Sequence, residues 1–394
     1  MGSAIISRRG SSGQVTENNG KIWTRSNSAL KGSYIDSAAY GNGLWVSGNY
    51  DGLFYSANNG KTWMTSNVTE PCDFAVYANG MWVAFSENYA YLYYSTNGKN
   101  WTKVVLSTEK STQIHFIMYE NNLWIAGGYG GLYYSTDGIT WTQSNLTGDV
   151  NFVTNANDLW VSGGYRGVYY SSDGKSWTQG NFSGSSCDMA KYANGIWILS
   201  GLSSDTGIYY STDGINWTKS NLTTGGFKTI THADGVWLAG GYNSNGIYYS
   251  TDGMTWTQTN LTTGNFYAIT KTNNLWVTGS YGSGNSATGL YYSTSGKTWT
   301  KSNVTTGSFE HVKNADGMWL AGSGASDTSY SGVYFSKDGK TWVQSISSNS
   351  EVPKFKNYYI RFLENANGVW LVGTYSDTYS DPVGVFYSSR YMTL

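Results

Sequence analysis

The chain has 394 residues with 50 Gly, 34 Tyr and 18 Trp against 3 Pro, and its charged residues amount to 12%, about half the share usual in soluble domains. A formal charge of −1 offers no clustered basic surface, which excludes nucleic acid and an acidic membrane surface as primary partners; membrane insertion is not expected either. No apolar run approaches the ~18 residues of a spanning helix, and 16% aromatic residues argue against disorder.

Met1 to Gln14 carries Arg8 and Arg9, but its apolar stretch Ala4-Ile5-Ile6 is too short for a secretory signal core. Residues 1–14 are read as a flexible tail and 15–394 as one domain. From there the tryptophans fall into two registers. One series closes a Ser-x-Asp-Gly-x-x-Trp type segment, from Trp23 and Trp63 to Trp342; the other sits in an Asn-Gly-Leu-Trp-Val type segment, from Trp45 and Trp82 to Trp370. Successive members of the first series lie 36 to 43 residues apart, near the ~40 residues of one four-stranded propeller blade. There are nine units. In one of them the expected strands are A, Phe266–Thr270; B, Leu275–Gly279; C, Leu290–Ser293; and D, Trp299–Asn303, with a turn at Asn273-Asn274 between A and B.

The C-to-D turn is the most regular element. In Ser250-Thr251-Asp252-Gly253-Met254-Thr255-Trp256 the carboxylate can accept N–H groups of its own turn while Gly253 takes a positive φ. The turn recurs with Asp137, Asp173, Asp213 and Asp338; Asn97 and Ser295 replace the acid elsewhere, and Asn58-Asn59-Gly60 is one residue longer. This motif resembles the hallmark hairpin of the Asp-box (BNR-like) β-propellers, and the resemblance covers nearly the whole chain. It implies a fold and leaves function open, since relatives include sialidases, xyloglucan hydrolases and the receptor domain of sortilin.

The last unit stops after Val385-Phe386-Tyr387-Ser388, whereas Thr16 to Trp23 supplies the missing turn and fourth strand. The expected fold is therefore a single closed all-β propeller of nine four-stranded blades, with the N-terminal strand completing the last one. Eight blades plus a separate hairpin is the alternative. The A–B and C–D turns are nearly uniform. On the other face the B–C loops grow from Tyr129-Gly130-Gly131 to Ser323–Gly332 and Thr374–Gly384, and the D–A segment Ser345 to Asn357 is enlarged. A rigid scaffold that varies only its loops on one face presents function there.

Ten residues before each strand-B Trp the chain is apolar, and Cys72 and Cys187 take that place in blades 2 and 5, so both are expected as buried free thiols. One position later stand Asp36, Asp73, His115, Asn151, Asp188, Lys228, Tyr267, Glu310 and Arg361, a varied polar ring expected near the channel mouth. Solvated drift and an asymmetric site both account for such a ring. Five residues after their Trp stand Tyr50, Tyr129, Tyr165, Tyr242, Tyr281 and Tyr375, which either fill gaps between blades or offer stacking platforms for sugar C–H groups.

Arg361 is flanked by Ile360 and Phe362 but lacks the proline of the sialidase context. Glu310, Asp36 and Asp73 are the carboxylates a glycosidase pair would draw on. His115, His232 and His311 occupy different registers, so no metal or other cofactor is expected. The Asn-x-Ser/Thr triplets, such as Asn145-Leu146-Thr147 and Asn260-Leu261-Thr262, recur with the repeat and are weak glycosylation signals. Low charge with abundant Tyr, Trp, Asn, Ser and Gly points to a non-catalytic propeller that binds a glycan or glycosylated surface. The opening Ser-Ala-Ile-Ile-Ser-Arg-Arg-Gly-Ser-Ser-Gly resembles those of some phage tail-associated proteins, which implies an extracellular or virion-associated setting, with other virion or surface proteins as partners. A structural or protein-interaction scaffold is the second reading, and a divergent glycoside hydrolase the third.

Overall fold

The computed structural model describes residues 20–28, 35, 37–87, 89–109, 112–182, 186–201, 203, 206–241, 246–281, 288–323, 332–347, 359–375 and 384–389. Among them every regular element is a strand, and the strands form nine antiparallel sheets, the blades of a nine-bladed propeller. Blade 1 starts with strand A at Ser37–Gly41, and blade 9 with strand A at Tyr359–Ala366. A strands of neighbouring blades touch around the axis, and D strands lie outermost. Because neighbouring strands alternate in direction, all A–B and C–D turns share one face, and all B–C and D–A connections share the other.

Ring closure takes the expected form. Ile22–Arg25 pairs antiparallel with Gly384–Ser389 as the D strand of blade 9. The contact extends further than the sequence suggests. Ile346–Ser347, beyond the D strand of blade 8, pairs parallel with Ile22–Arg25, and Asn27–Ser28 pairs parallel with the D strand of blade 1, Thr62–Thr65.

The core lies between blades rather than within them. Each apolar cluster joins strands B and C of one blade to strands A and B of the next; one contains Val46, Leu53, Cys72, Trp82, Ala84 and Trp101. Strand B is sandwiched on both sides and so is buried throughout, as in blade 1, where Leu44–Asn49 is buried at every position, its Ser47 and Asn49 included. Trp45, Trp82, Trp124, Trp197, Trp237, Trp276 and Trp370 are fully buried, and removing one such ring costs about 3–5 kcal/mol. Both cysteines are buried and neither forms a disulfide, and burial pushes the Cys72 thiol well up, so it stays a thiol.

The turns form as their residues dictate. Asn273, Asn79, Asn367 and Asp316 adopt positive φ at the A–B turn, where Asn and Asp tolerate the left-handed region. At the C–D turn the Asp252 Oδ1 accepts the N–H groups of Met254 and Thr255 at 2.8 Å each, while Ser250 Oγ receives the N–H of Gly253 (φ +76). Those backbone N–H groups hold the Asp252 carboxyl below its usual range.

Outer strand D is shorter than the sequence suggests: in blade 7 it runs Thr300–Lys301. Its flanking backbone is used elsewhere. Asn260 accepts the Trp299 N–H at 2.8 Å and donates to the Trp299 carbonyl at 2.8 Å, joining blade 6 to blade 7. Asn67, Asn145, Asn181, Asn221 and Asn303 clamp Trp101, Trp177, Trp217, Trp256 and Trp342 in the same way. Six seams are thus held by an Asn side chain, and the two seams flanking the N-terminal strand by parallel pairing.

Candidate functional site

The polar ring and the tyrosine series meet on the face bearing the B–C loops. The chain crosses from one blade to the next just ahead of the ring position. The core residue before it donates its N–H to the previous blade (Cys72 to Asn49 O, 3.0 Å; Val150 to Gly128 O, 3.0 Å), and the ring residue donates to its own strand B (Asp73 to Phe85 O, 3.0 Å; Asn151 to Gly163 O, 2.8 Å). In blades 3, 8 and 9 the pairing register slips at this point, across His115, Glu310 and Arg361, and in blade 7 across Tyr267. Such bulges re-aim a side chain at the end of a strand.

The tyrosine five residues after the Trp closes the same strand pair, and in two blades it touches the ring residue. The Tyr129 ring meets His115 edge-on with centroids 4.4 Å apart, and Tyr281 stacks on Tyr267 at 5.1 Å. The Lys228 ammonium lies 4.5 Å from the Tyr267 centroid, so the pair is also joined to blade 6. In blade 9 the partner of Tyr375 is Tyr359, at 5.5 Å. Tyr50 and Tyr165 are exposed to 72% and 59% and so do not fill gaps between blades; Tyr129, Tyr281 and Tyr375 are more covered. Asp36 and Tyr242, and the tips of the long loops in blades 8 and 9, lie outside the described residues.

The ring is electrostatically mixed. Burial raises the Glu310 carboxyl above its usual range, against the opposing pull of Lys228 in blade 6 and Arg361 in blade 9. Burial lowers the His115 imidazole. Asn151 donates to Asp188 Oδ1 at 2.9 Å and to Ser186 Oγ at 3.1 Å, linking blades 4 and 5. Asp73 Oδ2 accepts the Ser86 hydroxyl at 2.9 Å and the Glu87 N–H at 3.1 Å. Asp73, Phe74, Glu87 and Arg361 line an open pocket of about 320 Å³ between blades 9 and 2. It combines a guanidinium, two carboxylates and an aromatic side chain. On the opposite face an open pocket of about 460 Å³ runs beside Lys21 and Asp338, where the carboxylate already accepts the turn N–H groups of Lys340 and Thr341.

Glu87, Phe74 and Tyr89 are absent from the residues singled out by sequence. Glu87 had a signal: it stands five residues after Trp82, in the register tyrosine takes in six other blades. No group of three or more His, Cys, Asp or Glu that could hold a metal ion occurs among the described residues.

No family model matches this chain, and no curated protein matches it. Among solved structures it is similar to the computationally designed Ika8 protein, at 9% identity over 95% of this chain and 100% of that one, with a TM-score of 0.54. Sqt1 of Saccharomyces cerevisiae gives 9% identity over 82% of this chain and 98% of that one, with a TM-score of 0.52. An ancestral GH74 enzyme gives 14% identity over 94% of this chain and 62% of that one, with a TM-score of 0.44. The first two likenesses support the architecture alone, and the third carries no argument about activity.

Proposed function

We propose that this protein is a non-catalytic binding propeller that recognises a glycan or glycosylated surface through the face bearing the B–C loops. The observation that carries this reading is the meeting of the tyrosine series with the polar ring on one face, with Tyr50 and Tyr165 largely exposed. An exposed aromatic ring beside neutral and mixed-charge hydrogen-bonding groups suits sugar, whose C–H face stacks while its hydroxyls find partners. Packing alone does not call for a largely exposed tyrosine at this register, as in blades 1 and 4. The phage-tail-like opening extends the proposal to host-surface recognition outside the cell or on a virion.

A broad glycan array tests the reading, with the wild-type protein beside a Tyr281→Ala, Tyr375→Ala double variant. Saturable binding that weakens at least ten-fold in the variant is the expected result. A folded wild-type protein that binds nothing on the array would favour an interaction scaffold with protein partners. The pocket containing Asp73 and Glu87 supports the hydrolase as a second reading, since glycosidases act through paired carboxylates. Turnover of aryl glycosides abolished by Asp73→Asn or Glu87→Gln would establish it.

A further inference from the structure

Blade 2 departs from the repeat in a coordinated way. The residue that opens strand C or immediately precedes it is glycine in eight blades, from Gly52 to Gly384, and Tyr91 in blade 2. Four residues after the strand-D Trp stands a clamping Asn in most blades, and Val105 in blade 2. These two positions face each other: Tyr91 and Val105 are direct partners in the antiparallel pair of strand C, Tyr91–Ser95, and strand D, Thr102–Val105.

The glycine has a structural cause elsewhere. In blades 1, 3 and 6 a Cβ there would lie 2.0 Å from Val68 O, 2.3 Å from Leu146 O and 1.7 Å from Leu261 O, because the D–A segment crosses against the strand and its carbonyl accepts the next N–H. Tyr91 prevents that crossing. Strand D of blade 2 instead runs on, and Leu106 donates to Ala90 O at 2.9 Å. Among the described residues no Asn clamp reaches Trp141 of blade 3.

The altered segment carries an aromatic cluster. Tyr89 stacks on Tyr91 with centroids 5.0 Å apart and planes at 19°, and Tyr91 meets Tyr93 edge-on at 5.5 Å. The Lys103 ammonium lies 3.8 Å from the Tyr91 centroid and is paired with Glu70, which accepts the Tyr93 hydroxyl at 2.8 Å. Exposure rises outward, from 5% at Tyr93 through half-buried Tyr91 to 41% at Tyr89 and 60% at Val105. The rings below are fixed by packing and charge, so Tyr89 is held in place with little rotamer freedom left to lose on binding.

We infer that the open face of Tyr89, backed by Tyr91 and with Val105 across the strand pair, forms a separate subsite for a neutral pyranose. The outer face of Tyr89 takes the C–H face of the sugar, because Tyr91 is covered by Tyr89 on one face and by the Lys103 ammonium on the other. The Glu70 carboxylate and the Lys103 ammonium lie behind Tyr91 and are paired with each other, so their charges neutralise and the subsite attracts no net ionic ligand. The subsite rests on the carbohydrate reading of the same face and extends it to a blade where Glu87 takes the tyrosine register.

Saturation-transfer-difference NMR tests it, with methyl β-glucopyranoside, methyl β-galactopyranoside and methyl α-mannopyranoside as probes, and glucuronate and glucosamine for comparison. The background variant Tyr50→Ala, Tyr129→Ala, Tyr165→Ala removes neighbouring platforms. In it, at least one neutral pyranoside should keep a saturable signal that falls at least five-fold on adding Tyr89→Ala. Tyr91→Gly restores the residue of the other eight blades, so it is expected to fold and also to lose the signal. A wild-type signal that disappears in the background variant and is insensitive to Tyr89→Ala in the wild type would overturn this inference and leave the carbohydrate reading standing. A Tyr89-dependent signal from glucuronate or glucosamine alone would overturn the neutral assignment. No signal from any sugar with folded wild-type protein would overturn both.

Discussion

Asn145 opens a triplet that reads as a glycosylation acceptor, yet its amide is already engaged: it accepts the Trp177 N–H at 2.8 Å and donates to the Trp177 carbonyl at 2.9 Å. The sequence could not reveal this, because the partner lies 32 residues away in the next blade and no local pattern marks it. Two such bonds are each worth about 0.5–1.5 kcal/mol. Asn145→Ala should therefore destabilise by about 1–3 kcal/mol in urea unfolding, with Asn145→Asp, which keeps the acceptor, losing less. His311 sets a second expectation. Burial, helped by Lys313, Arg361 and Lys228 and opposed by its hydrogen bond to the Ile360 backbone, pushes its imidazole down to about 4. The unfolded chain then takes up a proton before the folded one, so stability present above about pH 6.5 is lost as the pH falls towards 4. Glu310, raised by burial, works in the opposite sense, its penalty easing as it protonates. Thermal midpoints measured from pH 7 to 4 should fall more steeply for the wild type than for His311→Gln; parallel curves would contradict this assignment. The ring residues were legible because each stands at a fixed distance from a tryptophan. Glu87 was not, because a search for tyrosines passes over the blade that replaces one.

At the scale of the strand and turn, two glycines of similar φ separate backbone strain from crowding. Gly246 (φ +95) immediately precedes strand C of blade 6, where a Cβ would lie 1.7 Å from Leu261 O, whereas Gly235 (φ +73), in the A–B turn of that blade, has open space around it. Gly235→Ala should cost about 1 kcal/mol, the strain of a left-handed alanine. Gly246→Ala adds a backbone collision and should cost at least about 2 kcal/mol more; equal losses in denaturant melts would refute the distinction. Strands A, B and C were readable from their apolar registers, and in blade 7 strand C runs Leu290–Ser293 as expected. Strand D was overestimated: Trp299 looks like part of a strand, but its backbone is engaged by Asn260 from blade 6. The bulges at His115, Glu310 and Arg361 were also hidden, because a register slip depends on the neighbouring strand.

Across the whole molecule, the blade count and the closure by the N-terminal strand were legible because every seam repeats a similar arrangement and only the ends of the chain are incomplete. The ligand was not, since recognition depends on where the repeat is broken. The turn networks decide which face can vary: the turns of the uniform face hold tryptophans and carboxylates in fixed networks, while the B–C connections and the strand ends that enter them carry Tyr50, Tyr89, Tyr129, Tyr165, Tyr281 and Tyr375. Hydroxyl-radical footprinting, with and without the strongest glycan from the array, tests that assignment most directly. Tyr50 and Tyr165, exposed to 72% and 59%, should be protected by the glycan, while Met254 and Ile139 at the turns of the opposite face, exposed to 39% and 37%, should be modified equally in both samples. Protection of Met254 and Ile139 with the tyrosines unchanged would contradict the account.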